Sequence, residues 1–277
     1  MKAIEAASLS TAWTDAIRHL LSMPTGKTVN VAVAFSTIAE DGGIRTEVDS
    51  FLTSAAAKRP GKNVLPIETV ASTLFPQSWY IPDRGADPRQ HLYRMRERAA
   101  RVHRRITGPN ERETYFDRLV AYPSASGTPV NQLEEQVVRL RRELSHDGPK
   151  SSAYELGVSE PGDLRIQQPG NDRLMLGFPC LSHISLTLHS DAIHLTALYR
   201  NQGFLRKAYG NYVGLARLAR FFATEVGVGV GEILCVASHA DAEIDVVGKR
   251  ELERLLAACD NAAGRPDALT EVDHVAA

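Results

Sequence analysis

The stretch from 178 to 213 constrains this chain more than any other. It reads Phe-Pro-Cys-Leu-Ser-His-Ile-Ser-Leu-Thr-Leu-His, a turn at Ser190-Asp191, a second apolar run from Ile193 to Tyr199, then Arg200 and a polar segment that carries Asn211 into a long apolar helix. His183, Ser185, Thr187 and His189 alternate with Ile184, Leu186 and Leu188, the period of a half-buried strand. Strand, turn, strand and helix therefore bring a thiol at Cys180, a guanidinium at Arg200 and an amide at Asn211 into one neighbourhood. A thiolate needs a nearby cation to lower its pKa, and an anionic substrate needs an anchor.

Around this stretch the chain alternates helical and strand-like periods. Trp13, Ile17, Leu20 and Leu21 form the apolar face of a helix capped by Ser10 or Thr11, and Val29, Val31, Val33 and Phe35 alternate as a strand. Glu40 to Gly43 reads as a turn, and Arg45 to Leu52 as a returning strand. Pro66 suits the first turn of a helix from Ile67 to Leu74, with Glu68 early in it, where an acid also suits the helix dipole. The segment from Arg89 to Ile106 is helix-prone and rich in arginine, which reads as a solvated face or a subunit contact. Tyr115 to Pro123 reads as a strand entering a turn. Leu133, Val137, Leu140 and Leu144 mark a clear amphipathic helix, and Tyr154 to Val158 a short strand. A helix from about Asn211 to Val226 ends at Gly227, Gly229 and Gly231, and a strand follows over Ile233 to Ala237. Those glycines lack the strand-before, helix-after setting of a phosphate loop. Leu252, Leu255 and Leu256 mark a last helix before a polar tail over 260–277. One α+β domain over 1–277 accounts for the whole, with its core at about 9–258.

Charge and cysteine usage narrow the function. A formal net charge of -1 argues against a dedicated nucleic-acid or membrane-surface partner, and no apolar run reaches a membrane-spanning length. Cys180, Cys235 and Cys259 have no metal-ligand spacing and read as free thiols of a reducing cytoplasm. Of the three, only Cys180 is framed like a nucleophile.

The order Pro179-Cys180, Leu198-Tyr199-Arg200, Asn211 at the head of a helix and Val230-Gly231-Glu232-Ile233 resembles the thymidylate synthases and the related pyrimidine nucleotide hydroxymethylases. Upstream, Pro66-Ile67-Glu68-Thr69-Val70 resembles the helix that carries the family's catalytic glutamate. Tyr115 to Pro123 resembles its Tyr-Gly-x-x-Trp-Arg-x-Trp-Pro segment. The resemblance implies a mixed sheet flanked by helices, with one sheet face packed in a homodimer. It implies that Cys180 adds to C6 of a pyrimidine and makes C5 a carbon nucleophile. Glu68 would organise proton transfers and Tyr115 would line the site. Arg200, Asn201, Asn211, His239 and Asp241 would form the substrate-binding positions. The one-carbon unit would come from 5,10-methylenetetrahydrofolate, giving a methyl or hydroxymethyl product on a pyrimidine nucleotide or analogue.

The chain also departs from that pattern. The residue after the cysteine is Leu181 rather than histidine, the serine after the arginine is Asn201, and the aspartate two further on is Gly203. The strand-end His-x-Tyr falls on Asp241 and Glu243, and His239 matches only with a two-residue slip. The paired arginines lent to the phosphate fall near Ser151-Ser152, beside Lys150 alone. These departures keep a second reading open, that of a protein of the same fold that binds a ligand, nucleic acid or partner without turnover.

Overall fold

A computed structural model describes residues 1–80, 92, 94–98, 101, 114–124, 126–146, 148, 154–159 and 179–264. The arginines at 89, 104 and 105, the Lys150 to Ser152 segment and the end of the tail lie outside the described residues. Residues 94–98 are helical, as the arginine-rich pattern implies.

The elements in chain order are β1 (Lys2–Ser8), α1 (Leu9–Ser22), β2 (Lys27–Thr37), α2 (Gly42–Lys58), α3 (Ile67–Leu74), α4 (Tyr115–Val120), α5 (Gln132–Ser145), β3 (Tyr154–Gly157), β4 (Leu181–His189), β5 (Ala192–Tyr199), β6 (Gln202–Gly203), a π-helical turn (Phe204–Ala208), α6 (Tyr209–Val226), β7 (Gly229–Asp241), α7 (Ile244–Val247) and α8 (Lys249–Ala262). The strands form one mixed sheet in the order β1-β2-β7-β5-β4-β3, with β6 continuing along β7 past the end of β5. This is an α+β fold, a mixed sheet flanked by helices.

Two segments read as strands are helices. Over Arg45 to Leu52, Asp41 accepts a bond from the backbone of Ile44 at 3.0 Å, and Arg45 pairs with Asp49 one turn on at 2.6 Å. Ile44, Val48, Leu52 and Ala55 then fall on one buried face, a helical rather than an alternating period. Over Tyr115 to Val120, Thr114 and Asp117 close a reciprocal capping box, which fixes the first turn before any strand partner is reached. The reverse holds at the start of the chain. Lys2–Ser8 is poor in β-formers, yet pairs in parallel with β2 from Lys2↔Val31 to Ser8↔Thr37. The C-terminal helix also continues to Ala262, into the segment read as tail.

One face of the sheet is the core. Val31, Val33 and Phe35 of β2, Ile193, Leu195, Ala197 and Tyr199 of β5, and Ile233, Cys235 and Ala237 of β7 are buried there under α1 and α6. The opposite face is more open. Leu198, 42 % exposed, stands across from Val236, and Thr196 across from Leu234.

Helix α3 lies flush against α6 because α6 carries glycines at the contact. A Cβ on Gly210 would stand 2.6 Å from the Cβ of Val70, and one on Gly214 would stand 2.7 Å from the Cβ of Leu74. Trp13 donates its indole N–H to the carbonyl of Phe204 at 2.8 Å, and Ser10 and Tyr209 share a hydrogen bond at 2.8 Å. Helix α1 thus anchors the π-helical turn that leads into Asn211.

Candidate functional site

The β4–β5 hairpin joins Cys180 to Arg200. Ser190 and Asp191 both take positive φ, 50° and 55°, the left-handed pair that a two-residue hairpin turn needs. That turn sets the register, with Leu181 opposite Tyr199. One step beyond the ladder, the backbone N–H of Arg200 donates to the carbonyl of Cys180 at 2.9 Å. The Nε of Arg200 donates to the carbonyl of Pro179 at 3.1 Å. The guanidinium is thereby folded back over the strand that carries the thiol.

Tyr115 closes the third side. It opens α4 beside the same strand end, with the backbone amides of Leu181 and Cys180 near its phenol oxygen. Burial first, then the neighbouring Cys180, push its hydroxyl up to about 12, against those amides and Arg200. Cys180 is half-buried, whereas Cys235 and Cys259 are buried. Burial drives the Cys235 thiol far above the usual range and the Cys259 thiol up to about 12. A buried neutral thiol is inert, so Cys180 is the one cysteine whose surroundings suit a nucleophile.

Asn211 sits in the first turn of α6, 4 % exposed, and its side-chain amide makes no hydrogen bond among the described residues. A π-helical turn before it is a local irregularity of the kind that collects at functional sites. A buried amide with free donors and acceptor suits the edge of a heterocycle.

The other expected residues are engaged elsewhere. The glycine contact of α3 with α6 sets Glu68 against Arg217, which grips it through two bonds at 2.8 Å and 2.6 Å, with Ser72 adding a third at 3.2 Å. Those bonds from Arg217 hold the Glu68 carboxyl below the usual carboxylate range. Its side chain is 54 % exposed and pairs with Arg217 across the α3–α6 contact. His239 shares a hydrogen bond with Asn201 at 2.7 Å, on strands β7 and the β5–β6 break. Asp241 pairs with Lys27 at 2.9 Å and accepts from the backbone of Glu243 at 2.7 Å.

Sequence reasoning did not single out the role of Glu243. It stands in the left-handed region at φ 61° with its side chain 7 % exposed. Arg206 donates to it from its backbone and from Nε, both at 2.8 Å. Its carboxylate fills the space above Gly203, where a Cβ would come within 2.4 Å of Oε1. The missing side chain at 203 was the only sequence signal for it. Arg217 was missed too, since it gains its meaning from Glu68, a partner distant in sequence.

No protein-family model and no curated protein matches the chain. Among the described residues no group of three metal-ligating side chains gathers, and no helix is long and apolar enough to cross a membrane.

Proposed function

We propose that the chain is a thymidylate-synthase-like transferase that activates C5 of a pyrimidine through a covalent adduct at Cys180. The observation that carries this reading is the half-buried thiol flanked by Arg200 and Tyr115 at one sheet end, while the other two cysteines are sealed in the core. The Cys180 thiolate adds to C6, and the C5=C6 electron pair moves onto C5 and O4. C5 then takes a proton from water, and loss of the original C5 hydrogen followed by departure of the thiolate restores the ring. Asn211 reads the N3–H and O4 edge with its unengaged amide, and the cationic Arg200 suits an anionic group on the substrate.

A folate, when bound, supplies the one-carbon unit that converts this exchange into methylation or hydroxymethylation. Glu68 is the residue expected beside it, but Arg217 and Ser72 hold its carboxylate, so the described side chains do not fit that role. The C5 exchange step needs Cys180 and no folate. The partner we propose is a second copy packed on the open sheet face around Leu198, Leu234 and Val236. The free thiols suit a reducing compartment such as the cytoplasm.

The test is release of tritium from C5 of uracil and cytosine nucleosides and nucleotides. Exchange that disappears in Cys180→Ala supports the reading; no exchange across a broad panel rejects it. The second reading, ligand or partner binding without turnover, draws support from Asp241, Glu243 and Glu68, each bound to a protein cation. It requires biological activity to survive Cys180→Ala.

A further inference from the structure

The pairing of β5 with β7 carries a bulge, and one histidine holds it. Ile193 stands opposite Val230 and Leu195 opposite Ile233, so His194 alone faces the two residues Gly231 and Glu232. Bulges are rare between parallel strands, and the extra residue of a bulge is left out of the ladder. Here the backbone N–H of Glu232 donates to Nδ1 of His194 at 3.1 Å. The imidazole lies against the bulge itself. A Cβ on Gly231 would stand 2.6 Å from Nε2 and 2.7 Å from Cδ2 and Cε1, so a glycine is what admits the ring. His194, Thr196 and Leu198 alternate with the buried Ile193, Leu195 and Ala197, which puts the imidazole on the open sheet face.

An imidazole nitrogen that accepts from an N–H carries no proton of its own, so the neutral ring keeps its hydrogen on Nε2. Protonation adds a hydrogen to Nδ1, and two donors then face each other. The bond exists while His194 is neutral and is lost as pH falls and the ring takes its proton. The titratable groups beside it are His189 of β4, with ring centroids 6.2 Å apart, and Glu232 of β7. Asp191 of the hairpin turn opens the same strand pair, its carbonyl accepting from Gly229 at 2.8 Å, and the uncharged Thr187 stands directly across on β4. We propose that His194 is an acid-sensitive latch on the β7 bulge. Neutral, it holds the bulge closed; protonated, it frees the backbone of Glu232 and loosens the open sheet face beside Thr196 and Leu198. Leu234 and Val236 follow the bulge on that face, so a second copy packed there is released in acid. That consequence rests on the second copy proposed above; the latch itself does not.

The experiment follows hydrogen exchange of the Glu232 amide by NMR from pH 8.5 down to pH 5, expressed as protection over the unfolded rate. The His194 ring is titrated in the same samples. Protection falls about 3- to 10-fold, the size of one ordinary hydrogen bond, with a midpoint that coincides with that of the ring. His194→Asn offers an amide oxygen in place of Nδ1, an acceptor that does not titrate, and keeps protection level throughout. A level curve in the unaltered protein overturns the proposal, and so does an equal fall in His194→Asn or a midpoint that departs from that of the ring. Light scattering over the same series tests the consequence separately. Dissociation in acid that is absent in His194→Asn supports it, and a dimer that ignores pH while Glu232 loses protection rejects it. A protein that is monomeric at every pH rejects the second copy on the open face and leaves the latch standing.

Discussion

Gly203→Ala probes the most crowded point near the candidate site. The new methyl would stand 2.4 Å from Oε1, 2.5 Å from Cδ and 2.7 Å from Oε2 of Glu243. The carboxylate cannot slide away freely. Arg206 holds Oε2 through its backbone N–H and Oε1 through Nε, both at 2.8 Å, and the carboxylate is buried. Either the strand end shifts or those bonds break. A hydrogen bond to a charged group contributes about 1.5–3 kcal/mol, and forced overpacking costs about 1–3 kcal/mol. Partial relaxation leaves an expected loss of about 3 kcal/mol, or about 6–12 °C in thermal midpoint for a chain of this size. The assay is thermal unfolding followed by circular dichroism, beside Gly227→Ala. Gly227 has φ +84° with nothing within 4 Å of a Cβ, so that change carries only a backbone cost of about 1 kcal/mol. Adding Glu243→Ala to Gly203→Ala should cost less than the two single changes together, because the methyl then has room. A Gly203→Ala protein that melts with the unaltered one, or strictly additive costs in the double variant, would refute the reasoning.

Three further outcomes follow from the same structure. Stability should fall as pH rises above about 9: the Cys259 thiol, raised by burial from 9.0 to about 12, and the Cys235 thiol keep their protons in the folded chain and lose them in the unfolded one. Urea midpoints between pH 8 and pH 11 should therefore slope downward, by about 1.4 kcal/mol per pH unit for each thiol at most, and Cys259→Ala should flatten the slope. Glu68→Gln should lower stability by less than about 1 kcal/mol, because the pair with Arg217 is more than half open to solvent on the carboxylate side. That contribution is complete above the ordinary carboxylate range and fades as pH falls, so the two proteins should converge in acid. Leu198→Arg on the open sheet face should turn the proposed dimer into a monomer by light scattering while leaving the helical circular dichroism unchanged.

Local pattern alone was enough for the elements whose period is long and uninterrupted. The helices around Trp13, Leu133 and Leu215, and strands β2, β4 and β5, were legible because one apolar face repeats without competition. Short segments were not. Arg45 to Leu52 and Tyr115 to Val120 hold too few residues for one period to prevail, and the caps at Asp41 and Thr114 decide them. Strand β1 has almost no strand signal of its own and exists because β2 offers it an edge.

The same division runs through the site. Sequence alone determined that Cys180, Arg200 and Asn211 lie on a hairpin and the helix after it, since a hairpin register propagates from its turn and a helix fixes its own first residues. Tertiary structure decided what each side chain meets. The Gly210 and Gly214 contact turned Glu68 toward Arg217, Gly203 admitted the carboxylate of Glu243, and α4 carried Tyr115 to the thiol. These are pairings across long stretches of chain, where steric fit and charge select the partner, and neither leaves a periodic trace in the order of residues.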